Sequence, residues 1–328
     1  MKNTQDSVDE LNQALNDAAA FNYVNNSLRI TLREIGHSRM LIENLLELLE
    51  KLKPLHKIQK NLKALHIVNC FHRIFRKELD FIYRNRYEAH RHEFFSKNVF
   101  PFIKNKEPHV VDLGCGRGWV SKWIHDAKIT QYVTGIDAVD FQADWKEVKA
   151  SNGLGLDFKQ VPVANQKLWF KEYLKKLSQK HAPVSMIICN WVFHHSTDQE
   201  LRKTFEALRD SVKVGTKLLV IEDACDLKVK PKHNNSNLYE SWCMLANENL
   251  KHYSRSQFHA QAILDFVAVR LLARYSAVEM CFNYKTTSDW IHLLKLYGFK
   301  FQRKNFIGFP KFRDIAVPQS IILFVKAL

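Results

Sequence analysis

Eleven residues, VVDLGCGRGWV from Val110 to Val120, restrict what this chain can fold into more than any other stretch. A short apolar run ends at Asp112, and three of the ten glycines follow at alternating positions, Gly114, Gly116 and Gly118. An apolar run stopped by turn residues is the pattern of a buried parallel strand. A glycine turn that then feeds a helix, GWVSKWIHDA, makes a ligand site at the strand's carboxyl end, because backbone amides can approach where no Cβ stands. The spacing is G-x-G-x-G rather than the dinucleotide G-x-G-x-x-G, and no Gly-Lys-Ser/Thr follows, so a phosphate loop is excluded.

The rhythm after this turn extends the strand reading. YVTGID, LDFKQVPV, VSMIICN and VKVGTKLLVIEDA each read as strands, and STDQELRKTFEALRDSV as a helix with a capping box from Thr197 and Glu200. Strand–helix alternation predicts an open, doubly wound, mostly parallel α/β sheet. Near the end, a helix in SDWIHLLKLYGF precedes strands in KFQRKNFIGF and QSIILFVKAL. The short connection between those two strands favours an antiparallel pair, since a parallel crossover needs a dozen or more residues.

The flanks read differently. Residues 1–100 read as an N-terminal helical region, with Ile42, Leu45, Leu46, Leu49 and Leu52 on one helix face stopped by Pro54. The stretch NLKALHIVNCFHRIFRKELDFIYRNRYEAHRHEFF continues helically with no Gly or Pro. Residues 101–224 form the α/β core, 225–285 a helical insertion after strand five, and 286–328 complete the core. In the insertion, SRSQFHAQAILDFVAVRLLARYSAVE reads as one long helix, with Ser254 and Gln257 as its capping box.

The net charge of +15 sits mainly in the two flanking segments. Such an excess suits an anionic partner or simply a solvated surface, and no dense Lys/Arg block decides between them. No basic-then-apolar leader opens the sequence and no run approaches a membrane span. Six scattered cysteines without a C-x-x-C pair argue against a disulfide framework or a zinc site and fit a reducing, cytoplasmic setting.

VVDLGCGRG resembles the first motif of class I S-adenosylmethionine-dependent methyltransferases, and the element order from about residue 85 to 328 resembles their seven-stranded sheet. The resemblance implies S-adenosyl-L-methionine as cofactor, with Asp112, Gly114, Cys115, Gly116 and Gly118 around it. It implies that the acid ending the second strand, Asp137 in VTGIDAVD, accepts hydrogen bonds from the ribose hydroxyls, a task for an acceptor-only carboxylate. No acid follows the third strand, so Asn165 or a backbone carbonyl takes the adenine contact. Asn190, at the end of the fourth strand in IICNWVFHHS, stands where family members often carry Asp; it can hydrogen-bond but cannot act as a base. Trp191 and Phe193 either face the sulfonium or belong to the core. Arg86 and Arg91, just before the first strand, either hold the cofactor's carboxylate or line an exposed helix.

For catalysis the candidates are His194, His195, Glu222 and Asp223. A hydroxyl acceptor needs a base, and Glu222 and Asp223 end the fifth strand on the same edge as the glycine turn. The two histidines are expected to point to opposite sides of an extended segment, which argues against a metal centre. Tyr239, Trp242, His252, Tyr253 and His259 are expected to line an acceptor pocket under the helical flanks. The first functional reading is methyl transfer to O or N of a small metabolite, an acidic one suiting the basic flanks. RNA methylation is the alternative, and a non-catalytic binding or scaffold protein with this fold is the third reading.

Overall fold

The computed structural model describes the chain apart from residues 1–5, 104–106, 151–154, 162–165, 181, 227–235, 247–251, 276–277, 279 and 311–312. The helices in chain order are α1 (Asp6–Asn16), α2 (Ala18–Ile35), α3 (Arg39–Leu52), α4 (Leu62–Ile82), α5 (Glu88–Phe94), α6 (Trp119–Asp126), α7 (Gln142–Ala150), α8 (Gln166–Lys180), α9 (Asp198–Ser211), α10 (Ser236–Met244), α11 (Arg255–Phe266) and α12 (Thr287–Leu296). The strands are β1 (Glu107–Leu113), β2 (Thr130–Asp137), β3 (Leu156–Gln160), β4 (Met186–Asn190), β5 (Lys217–Glu222), β6 (Phe299–Gly308) and β7 (Gln319–Lys326). They divide between two units assembled from non-contiguous segments.

One unit comprises Met1–Glu93, Ala224–Thr286 and Phe306–Gln319. Its core is helical: Leu11 and Leu15 of α1, Val24 and Leu28 of α2, Leu45 and Leu49 of α3, and Ile263 and Leu264 of α11 are fully buried together. Each such side chain contributes roughly 1.5–3 kcal/mol of transfer free energy. The helix starts are chemically marked. The Asp17 carboxylate accepts from the Ala19 and Ala20 amides, Ser38 from Leu41, and Asn61 from Lys63 and Ala64. Side chains then tie the distant segments: Tyr23 Oη donates to Ala316 O at 2.8 Å, and His259 Nδ1 pairs with Asp17 at 2.8 Å. Two helices run shorter than the sequence suggests. The stretch after α4 passes through π-helical turns at Tyr83–Tyr87 and Phe95–Val99, and α11 gives way to another at Val267–Leu272.

The other unit comprises Phe94–Asp223, Thr287–Asn305 and Ser320–Leu328, and it holds the sheet. Strand order is β3-β2-β1-β4-β5-β7-β6. β1 pairs in parallel with β2 and β4, β2 with β3, and β4 with β5, while β7 runs antiparallel to β5. Val110, Val111, Ile187, Ile188, Leu219 and Val220 are all buried, as expected of central strands covered on both faces. The order reverses between β1 and β4, and in open α/β sheets ligands lodge at such a switch point, beyond the strands' carboxyl ends. The register brings Leu113 beside Ile136 and Cys189, and Asn190 beside Ile221, so four strand ends meet there. Helix α9 starts with the predicted reciprocal capping box of Thr197 and Glu200, and α11 with that of Ser254 and Gln257.

Candidate active site

The glycine turn is built by its backbone conformation and by what crowds it. Gly114, Gly116 and Gly118 have φ of 75°, 52° and 86°, the left-handed region that side chains rarely adopt. Gly114 and Cys115 donate to Ile136 O at 2.7 and 3.0 Å, closing the turn onto the end of β2. A Cβ on Gly114 would lie 2.2 Å from Val192 Cγ2, and one on Gly118 2.6 Å from the Phe158 ring. A Cβ on Gly116 would meet nothing within 4 Å among the described residues. Two glycines are therefore required by packing, and the middle one faces open space.

The acidic residues of the turn have separate tasks. Asp112 is buried and accepts from Ser121 Oγ at 2.6 Å, which fixes the first turn of α6 to the end of β1. Asp137 Oδ2 accepts from Gly116 N at 2.7 Å and Oδ1 from Val139 N at 2.9 Å. Burial pushes the Asp137 carboxyl above its usual range, against the pull of the Val139, Gly116 and Ala138 amides. The Cys115 side chain is buried, with its thiol pushed well up chiefly by that burial. Beneath the turn, Trp145 of α7 stacks on Phe158 of β3 with centroids 5.5 Å apart and planes at 6°. Trp145 Nε1 also donates to Gly116 O at 2.7 Å. This aromatic support escapes sequence reasoning, because only the β2–β3 pairing brings Phe158 next to the turn.

A second cluster forms where β4 ends. Trp191 adopts φ 52° and donates its amide to Ile221 O at 2.8 Å, a conformation uncommon for a non-glycine residue and found where a chain must turn sharply. Its ring packs on Phe94 and edge-on to Phe95. Phe193 is core, packed on Phe205 and Trp290 with centroids 5.0 and 5.7 Å away. Glu222, 1% exposed, accepts from the Val192 and Phe193 amides at 3.0 and 2.7 Å through Oε1, and its Oε2 pairs with His194 Nδ1 at 2.5 Å. A carboxylate with three partners is a clamp on the turn. Asp223 is buried beside it in sequence. The two histidines correct an expectation. They lie in a 3₁₀ turn, not an extended segment, and their ring centroids are 4.1 Å apart, so they face one region. His194 is buried and His195 half-buried.

Asn190 is 8% exposed at the end of β4, and its Oδ1 has no hydrogen-bond partner. A buried acceptor left without a donor is costly, so it calls for a ligand N–H or O–H. That orphan oxygen and the open space above Gly116 fit a cofactor lying along the turn.

Other predicted positions fall elsewhere. Asn165 lies outside the described residues. Arg86 and Arg91 belong to the helical unit, where Arg86 Nη1 donates to Ile35 O at 3.1 Å at the end of α2 and its guanidinium lies against Gly36. In the same unit Trp242 is fully buried among Tyr23, Tyr253 and Phe309, and Tyr253 Oη accepts from the Cys225 amide at 2.7 Å. Trp242, expected to line a pocket, is thus part of the helical core, because its large ring is the filler between α2, α10 and the 306–319 segment. His259 is held by Asp17, Tyr239 borders Phe309, and His252 is exposed.

Residues 83–303, more than half of the chain, match the family model described as a methyltransferase domain. The chain belongs to that methyltransferase family. Its seven-stranded, mostly parallel sheet is the class I methyltransferase fold. No curated protein matches the chain by sequence. Among solved structures, it is similar to a chain of the complex between the Haloferax volcanii Trm112 methyltransferase activator and a methyltransferase, at 12% identity over 73% of this chain and 91% of that one, with a TM-score of 0.44. Mitomycin 7-O-methyltransferase MmcR aligns at 15% identity over 82% of this chain (TM-score 0.43), and human N-acetylserotonin methyltransferase in complex with SAM at 20% over 79% (TM-score 0.43). The chain spans 59% of the length of each of those two.

Proposed function

We propose that this methyltransferase transfers a methyl group to an oxygen or nitrogen of a small acceptor, with an acidic metabolite as the best match to its basic flanks. When bound, S-adenosylmethionine supplies a methyl group already activated by its sulfonium. The chain's residues bind, orient and exclude water. Asp137 would accept from the ribose hydroxyls, since a carboxylate's oxygens have capacity beyond the amides they already accept. The amides of the glycine turn would lie along the adenosyl group, and Asn190 Oδ1 would take a ligand donor. Glu222 and His194 act together as positioning residues that hold the turn after β4. That leaves half-buried His195 as the group best placed to take the acceptor's proton. Asp223, buried and at the same strand end, is the second choice.

The observation that carries the reading is the open space at Gly116 beside the Asp137 carboxylate. The test has two stages. Calorimetry must detect S-adenosylmethionine binding that Asp137→Ala abolishes; no binding by the wild type would favour a non-catalytic protein. Transfer of labelled methyl is then followed in parallel on a panel of small carboxylated and phosphorylated O–H and N–H compounds and on total RNA. Label entering RNA alone would refute the small-acceptor assignment.

A further inference from the structure

The sheet-bearing unit has a second concave feature at the opposite edge from the glycine turn. A cleft of about 400 Å³ is lined by Lys171, Lys175 and Leu174 of α8, by Val184, and by Ser211 and Lys213 after the body of α9, among others. Val184 stands just before β4 and Lys213 just before β5, so the cleft lies at the strands' amino-terminal edge. The cofactor turn is at the carboxyl edge.

Three observations give this cleft a chemistry. Among the described residues the ammonium groups of Lys171, Lys175 and Lys213 have no carboxylate partner, while Asp210, which also lines the cleft, is paired with Arg209 Nε at 2.8 Å. Lys171 and Lys175 are one helical turn apart, a like-charge spacing that destabilises a helix when nothing neutralises it. Ser211 Oγ is buried without a hydrogen-bond partner. Three exposed lysines thus line the cleft together with the apolar Leu174, Val184 and Val212, with the unsatisfied Ser211 hydroxyl buried behind that surface.

We propose that this cleft is a ligand site for a compact, multiply charged anion bearing phosphate or carboxylate oxygens. Lysine offers a point charge with three donors and suits clustered anionic oxygens approached from several sides. Among the described residues no aromatic or arginine side chain lines the cleft, so these offer a nucleobase no stacking platform. Its volume lies in the range of small-ligand sites. Occupation there leaves the carboxyl edge untouched, so the anion binds alongside the cofactor.

Calorimetry on the full chain, with inorganic tripolyphosphate and with citrate as probes, tests this and separates the two oxygen types. Saturable binding of at least one probe is expected, weakening with salt as charge pairing requires. Lys175→Gln combined with Lys213→Gln should raise its Kd about tenfold or more, at about 1.4 kcal/mol for each tenfold. S-adenosylmethionine affinity in the double variant should stay within about twofold of wild type, which certifies the fold. Lys176→Gln, on the same helix but outside the cleft, should leave the probe's Kd unchanged. No saturable binding of either probe, an equal Kd in the double variant, an equal loss in Lys176→Gln, or displacement by S-adenosylhomocysteine would each overturn the proposal.

Discussion

Replacing Gly114 and Gly116 by alanine, one at a time, should give opposite phenotypes. Both have positive φ, so either alanine carries the left-handed strain of roughly 1–2 kcal/mol. At Gly114 the new Cβ also lies 2.2 and 2.8 Å from the two Val192 methyl carbons, well inside contact distance. Val192 is only half-buried and can yield in part, which puts the overlap near the ordinary overpacking cost of about 1–3 kcal/mol. Gly114→Ala should therefore lose about 2–5 kcal/mol, and adding Val192→Ala should recover the overlap share. Gly116→Ala should lose only about 1–2 kcal/mol, because nothing stands within 4 Å of its Cβ. Yet that methyl would occupy the space assigned to the cofactor, so S-adenosylmethionine affinity should fall about tenfold or more. Urea unfolding gives the stabilities and calorimetry the affinities. Gly116→Ala binding the cofactor as tightly as wild type would refute the assignment of that space, and equal stability losses for the two variants would refute the packing argument.

Three further outcomes follow from the same geometry. The raised Asp137 carboxyl predicts opposed pH dependences. Its contribution to unliganded stability is present below the unfolded value of about 4 and is lost as pH rises through the folded value, whereas cofactor affinity should rise over that window as the carboxylate ionises, and Asp137→Ala should flatten both curves. Glu222→Ala leaves the Val192 and Phe193 amides and His194 without their shared acceptor, and should cost about 3–5 kcal/mol in chemical unfolding, against roughly 1–3 for Glu222→Gln. Thr197→Ala removes the α9 cap and should cost about 1 kcal/mol with methyl transfer unchanged.

Sequence alone determined the parts whose causes are local. An apolar run stopped by Gly114 must end a strand, Thr197 with Glu200 must start a helix, and alternation of such segments implies a mostly parallel sheet; neighbouring residues supply all of that information. Asp137 was legible for the same reason, as the acid closing the next apolar run. Tertiary structure alone decided what depends on register. The β4–β5 pairing sets Asn190 against Ile221 and so delivers Glu222 to an amide pair and a histidine 28 residues away. The β2–β3 pairing slides Phe158 under the glycines, and α7 brings Trp145 to the Gly116 carbonyl. Trp242 and the two histidines depart from the sequence expectation because a side chain's direction and burial are fixed by elements far off in the chain. A helical period or a strand alternation is written in adjacent letters; which remote partner fills a given space is settled only when the whole core packs.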